Sequence, residues 1–170
     1  KQITSLQFQY LKLISWRDTM NLALRAIDET NKDAVELLEV FDHQKQYIAS
    51  NKYSLETAAK EEYREIARPF AIYGDGNIVG FTMFAFELTS IDPNDRYWLW
   101  RFMIDKNSQG KGYGSVALEK IIDYFKSHGA DHILLSTKES NASALSLYHK
   151  YQFAETGEMN GDEIVLRLNL

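Results

Sequence analysis

The sequence contains no cysteine. That excludes disulfide staples, thiolate metal centres and a cysteine nucleophile, and it fits a cytoplasmic protein. No uninterrupted apolar run approaches the ~20 residues that a membrane-spanning helix requires. The opening residues, KQITSLQFQYLKLISWRDT, break their apolar positions with polar ones and reach no small-residue cleavage site, so they do not read as a secretory leader. Internal repeats and low-complexity tracts are absent as well. Basic charge is not in excess. The formal net charge is −5, which argues against a nucleic-acid surface and suits a cationic small-molecule partner.

What is present is one ordinary soluble domain: 170 residues, 45% hydrophobic and 25% charged. From Met20 the pattern alternates between strands and helices. NLALRAI (21–27) alternates like a half-buried strand. NKDAVELLEVFDHQKQYI (31–48) predicts a helix through Val35, Leu38 and Phe41, and SLETAAKEEYREIA (54–67) a second one, ended by Pro69. FAIYGDGNIVGFTMFAFEL (70–88) reads as a hairpin around Gly-Asp-Gly-Asn. RYWLWRFMI (96–104) is a nearly continuous apolar strand, and a helix follows with Val116, Ile121 and Phe125 on one face. HILLST (132–137), NASALSLYHKYQF (141–153) and GDEIVLRLNL (161–170) read as strand, helix and strand. His128 and His132, beside the helix-to-strand turn, are expected to be solvated. This order is α+β with a mixed sheet. Residues 1–19 are expected to be either an appendage to a single domain spanning 20–170 or an ordinary first helix or strand of that domain. Their apolar Ile3, Leu6, Phe8, Leu11, Leu13 and Trp16 raise the further expectation of an oligomerisation arm and a homodimer.

Between the fourth strand and the long helix lies IDKNSQGKGYGSVALEKIIDYF (104–125). Glycine at 110, 112 and 114 weakens a helix start unless the bare backbone is needed there. A strand, a glycine-rich turn and a helix N-terminus together make an anion site, with outward N–H groups that a phosphate can approach. A nucleotide-triphosphate loop would end in Lys-Ser or Lys-Thr, and here Lys111 precedes the second glycine. A dinucleotide fold would open on Gly-x-Gly-x-x-Gly in its first βαβ unit, and this loop misses that spacing by one residue.

Gln109-Gly110-Lys111-Gly112-Tyr113-Gly114 instead resembles the Gln/Arg-x-x-Gly-x-Gly/Ala loop of the GNAT superfamily of N-acetyltransferases. Asn141, Ala144 and Tyr148 resemble that family's second motif, Asn-x-x-Ala-x-x-x-Tyr. The resemblance runs from about Met20 to Leu170. It departs at Gln152, where the family usually carries glycine. It implies a mixed, mostly antiparallel twisted sheet of about six to seven strands flanked by about four helices. It further implies acetyl-coenzyme A as co-substrate and no metal. The pyrophosphate would rest on the N–H groups of residues 110–115, including Ser115. The pantetheine arm would pair with the strand at Phe102, Met103 and Ile104, between splayed fourth and fifth strands, with Asn141 beside it.

The implied reaction is direct attack of an amine on a thioester. The amine must first be neutral, although alkyl ammonium groups titrate near ~10. By the resemblance, Tyr148 would protonate the departing thiolate; taken alone it reads as a core tyrosine. The family's usual glutamate on the fourth strand is missing here, which leaves Glu87 or a water relay as base. That absence also keeps a non-catalytic coenzyme-A sensor in view. Residues 44–58 and the WRFMIDKNSQGKGYG stretch resemble bacterial spermine/spermidine acetyltransferases. The first two helices supply Glu36, Glu39, Asp42, Glu56, Glu61, Glu62 and Glu65, with Tyr47, Tyr53 and Tyr63 nearby, and Trp98 and Trp100 could add cation–π faces. A polyamine acceptor is therefore expected, with a protein N-terminus, an aminoglycoside or another small amine as rivals.

Overall fold

The computed structural model describes residues 20–170, so the expectations about residues 1–19 fall outside the described part. Seven strands form one sheet in the order β1-β2-β3-β4-β5-β7-β6. They are β1 (Leu22–Ala26), β2 (Ala67–Gly74), β3 (Asn77–Phe86), β4 (Tyr97–Ile104), β5 (His132–Thr137), β6 (Ala154–Asn160) and β7 (Glu163–Asn169). Four α-helices accompany them among the described residues: α1 (Lys32–Glu36), α2 (Asn51–Ala58), α3 (Tyr113–Ser127) and α4 (Ala142–Lys150). Every neighbouring pair runs antiparallel except β4 and β5, which are parallel. No helix among the described residues is long and apolar enough to cross a membrane.

Both faces of the sheet are covered, which is why β3 is buried from Val79 to Phe86. Phe84 and Phe86 pack with Leu118, Ile121 and Phe125 of α3 in the larger core. Phe81 and Met83, which alternate with them, pack on the other face with Val35 and Leu55 of the short helices. The β2–β3 hairpin turns on Asp75 and Gly76, with φ of 51° and 86°. Two positive angles make the turn whose twist suits a hairpin. At β4 the register slips: Met83 faces Arg101 and Phe84 faces Leu99, so Trp100 is an extra residue with no partner on β3.

Three expectations need correcting. The helix over 31–48 is only α1, five residues long, followed by turns and a single 3-10 turn at Asp42–Gln44. The Asp105 carboxylate accepts from the Glu39 N–H at 3.1 Å, and the Glu39 carbonyl accepts from Lys106 N–H at 2.8 Å. Those bonds use the backbone groups that a continued helix would have needed, and tertiary contact overrides propensity. The second helix runs over 51–58 rather than 54–67. Ser50 caps it by accepting from Tyr53 N–H at 3.2 Å. Pro69 then lies inside β2, where pairing with β1 has already stopped at Phe70, so one edge is free of a partner. His132, expected in solvent, is 1% exposed. As the first residue of a central strand it is covered by its neighbours, and its ring nitrogens meet the Asp131 carboxylate and the Asn94 carbonyl.

Candidate active site

β4 and β5 pair at a single position, Trp98 with Leu134, and then diverge. The cleft between them opens into a cavity of about 860 Å3. Its walls are the free edge of β4 from Trp98 to Ile104, the end of β5 at Ser136 and Thr137, the start of α4, and the segment 44–49 with Tyr53 and Tyr63. The glycine loop closes one end through Ser108, Gln109, Gly110, Tyr113 and Gly114.

Asp105 builds that loop. It is buried, and its carboxylate accepts from the Asn107 N–H at 2.9 Å as well as from Glu39. Its carbonyl accepts from Ser108 and Gln109 N–H at 2.8 and 3.0 Å. Gln109 braces the loop from inside, donating to the Ile104 carbonyl at 2.9 Å and exchanging amide bonds with Gln44. Gly112 then takes φ 87° and ψ −4° immediately before α3, a conformation that costs an L side chain about 1–2 kcal/mol. Among the described residues, the backbone N–H groups from Gly110 to Gly114 have no hydrogen-bond partner. Five unpaired donors at a helix entrance form an anion cradle, and the residues present fit a pyrophosphate. Ser115 differs, because its N–H already bonds the Gly112 carbonyl at 3.1 Å. Lys111 lies on the loop surface and donates to the Asn107 carbonyl at 2.7 Å.

On the opposite wall, Asn141 caps α4. Its side chain accepts from Ala144 N–H at 3.4 Å and donates to Thr137 Oγ1 at 3.2 Å. Asn141, Ala144 and Tyr148 all line the cavity, as do Phe102, Met103 and Ile104 across from them. Tyr148 is 8% exposed, and its hydroxyl has no hydrogen-bond partner among the described residues. Burial, and then the negative charge of Glu163, push its pKa well above the ordinary phenol value, so the O–H keeps its proton.

The carboxylates fall differently from expectation. Glu87 is exposed at the end of β3 and stands outside the cavity lining. None of Glu36, Glu39, Asp42, Glu56, Glu61, Glu62 and Glu65 lines the cavity either. The aromatic residues do: Tyr47, Tyr53, Tyr63, Trp98 and Trp100. Glu163 is the one acidic side chain in the lining among the described residues, and Arg101 joins it from β4. The Arg101 Nη1 donates to the Trp100 carbonyl at 2.7 Å, while its Nε is buried without a partner. Burial lowers the guanidinium pKa, opposed by Glu163 and then by Tyr53. Neither Glu163 nor Arg101 belongs to a local motif. Glu163 reaches the cavity only because β7 inserts between β5 and β6. Arg101 had the apolar strand around it as its sole signal. No group of three or more His, Asp or Glu side chains suited to a metal occurs among the described residues.

A sequence model of the acetyltransferase (GNAT) family matches residues 23–153. The chain belongs to the GNAT family. It is an acetyl-coenzyme-A-dependent N-acetyltransferase, and the sensor alternative gives way. A probable spermine N(1)-acetyltransferase of Bacillus subtilis subsp. natto is 34% identical over 153 residues, 87% of this chain and 99% of that protein. Two solved acetyltransferase structures share the fold. Spermidine N-acetyltransferase from Vibrio cholerae, in complex with CoA and spermine, has TM-score 0.64 and 22% identity, covering 88% of this chain and 94% of its own. Aminoglycoside acetyltransferase AAC(6')-Ib in complex with coenzyme A has TM-score 0.70 and 16% identity, covering 88% and 95%. The splayed β4 and β5 and the seven-stranded mixed sheet are thus the GNAT architecture.

Proposed function

We propose that the chain transfers the acetyl group of acetyl-coenzyme A to a polyamine such as spermidine or spermine. Five aromatic side chains on the acceptor side carry this reading. A polyamine alternates methylene segments with ammonium groups. Aromatic faces favour both, the first by apolar contact and the second by cation–π attraction of about 0.5–2 kcal/mol each. Glu163 supplies a carboxylate in the same cavity. Identity to a probable spermine N(1)-acetyltransferase over nearly its whole length supports the same class.

In this reading the unpaired N–H groups of Gly110 to Gly114 hold the pyrophosphate of the co-substrate, with Gln109 bracing the loop. The free backbone edge at Phe102, Met103 and Ile104 faces the pantetheine arm, with Asn141 and Ala144 opposite. The co-substrate supplies an activated acyl carbon and a thiolate leaving group. Tyr148, neutral and without a partner among the described residues, donates a hydrogen bond to the sulfur as the bond to carbon lengthens. The phenol's raised pKa exceeds the ~8.5 of an ordinary thiol, so a proton handed over before bond cleavage would move uphill.

Arg101 favours one alternative acceptor, an amine that also bears a hydrogen-bond acceptor, such as a peptide N-terminus or an aminoglycoside. Thiol release from acetyl-coenzyme A, measured with spermidine, spermine, putrescine, an aminoglycoside and a peptide amine, separates the two. The polyamine reading predicts the highest kcat/KM with spermidine or spermine. Preference for the peptide or the aminoglycoside would replace it with the Arg101-directed alternative.

A further inference from the structure

We propose that Glu163 is the proton acceptor for the reacting ammonium group. The inference rests on acetyl transfer in this cavity and not on the acceptor being a polyamine.

The argument is geometric. Three acids near the cleft compete for the role. Glu87 lies outside the cavity. Asp105 is buried beneath the loop, and both of its oxygens are taken, one by Asn107 and one by Glu39. Of the three, Glu163 alone lines the cavity, at the start of β7. One of its oxygens accepts from the Ser136 hydroxyl at 2.5 Å, a hydroxyl that Asn160 also reaches at 3.4 Å. That contact fixes the carboxylate on the β5 side of the cleft, within electrostatic reach of Tyr148 on α4. Its other oxygen has no hydrogen-bond partner among the described residues.

The charged groups around it set the proton balance. Arg101 on β4 and Tyr53 on α2 line the same cavity, and the guanidinium lies within electrostatic reach of Glu163 and then of Tyr53. Lys138, at the end of β5, also feels Glu163 but pairs with Asp162 at 2.9 Å. The Arg101 charge repels an ammonium group brought beside it, which favours loss of its proton.

The step balances. One N–H bond of the ammonium breaks and an O–H bond forms on Glu163. The freed lone pair forms the C–N bond while the C–S bond breaks and sulfur leaves with its electron pair. The second proton, lost from nitrogen as the amide forms, passes to the departing sulfur, which the Tyr148 hydroxyl holds by its hydrogen bond. Glu163 returns its proton to solvent.

The test is the pH dependence of kcat/KM for the acceptor. With Glu163 as proton acceptor, the enzyme uses the abundant ammonium form, and kcat/KM is flat from pH 7 to 9. Glu163→Gln retains an oxygen for the Ser136 hydroxyl but cannot take a proton. The variant must then wait for free amine, whose fraction rises about tenfold per pH unit below an amine pKa of ~10. Its kcat/KM is expected to fall about 100-fold at pH 7 and to climb tenfold per unit, with unchanged coenzyme A affinity. A variant that keeps the wild-type profile overturns the proposal, as does a rise in acceptor KM alone. A tenfold-per-unit climb in the wild type overturns it too, even if the variant does not fold. Spermidine is the first acceptor. A blocked peptide with a lysine side chain is the second, so that failure of the polyamine reading shows as wild-type silence with spermidine only.

Discussion

Gln152 carries φ 67°, in the left-handed region. The backbone needs it there: Phe153 N–H bonds the Tyr148 carbonyl at 3.1 Å and Gln152 N–H bonds the His149 carbonyl at 2.9 Å. This pair of bonds closes the C-terminus of α4, and the Phe153 ring packs 5.7 Å from the Tyr148 ring to complete it. The residue that departs from the family's glycine therefore adopts the glycine conformation at a cost. A left-handed L residue costs about 1–2 kcal/mol, and glycine's extra freedom when unfolded returns about 0.5–1 kcal/mol of that. Gln152→Gly is expected to stabilise the protein by about 0.5–1 kcal/mol, which raises Tm by roughly 1–4 °C. Thermal melting checks it, with kcat unchanged. A lowered Tm would show that the Gln152 side chain earns its place.

Elements whose signals are local were legible in the sequence. The hairpin followed from Gly74-Asp75-Gly76-Asn77, α3 from the spacing of Val116, Ile121 and Phe125, and the loop before α3 from its glycines. Elements decided by distant partners were not. The helix expected over 31–48 stops at Glu36 because Asp105 and Lys106, some seventy positions on, claim the backbone at Glu39. The cavity wall shows the same division. Its aromatic residues were visible, whereas the expected acids point elsewhere and Glu163 arrives by topology. Asp105 joins the two ends of this argument, holding both the 39 segment and the loop before α3. Asp105→Ala leaves buried donors unsatisfied and is expected to cost about 1–3 kcal/mol. It should also weaken coenzyme A binding by an order of magnitude, because the loop loses its anchor. Denaturant titration and calorimetry check both parts. A stability loss with full affinity would show that the loop holds its shape without Asp105.

At the scale of the whole molecule, the fold holds several phenols in their neutral form. Burial raises the pKa of Tyr148, with Glu163 adding to it. Burial also raises that of Tyr113, where the hydroxyl bonds Asp75 at 3.0 Å, and that of Tyr124, where Arg68 opposes the shift. In the unfolded chain each phenol loses its proton near ~10. Above that pH the folded state binds more protons than the unfolded one, so stability falls as pH rises. The urea midpoint is expected to hold between pH 8 and 9.5 and to decline beyond 10. Tyr148→Phe should flatten part of that decline. A midpoint insensitive to alkali in the wild type would contradict the burial assigned to these rings.

The same whole-molecule layout makes one central claim, that a splayed β4 and β5 deliver the co-substrate onto unpaired backbone donors at the start of α3. Amide proton and nitrogen chemical shifts, followed during addition of coenzyme A and separately of pantetheine, test it most directly. The account predicts that the amides of Gly110 to Gly114 move downfield with coenzyme A and stay near their free positions with pantetheine, which lacks the pyrophosphate. Equal shifts with both ligands, or none at these five amides under saturating coenzyme A, would contradict it.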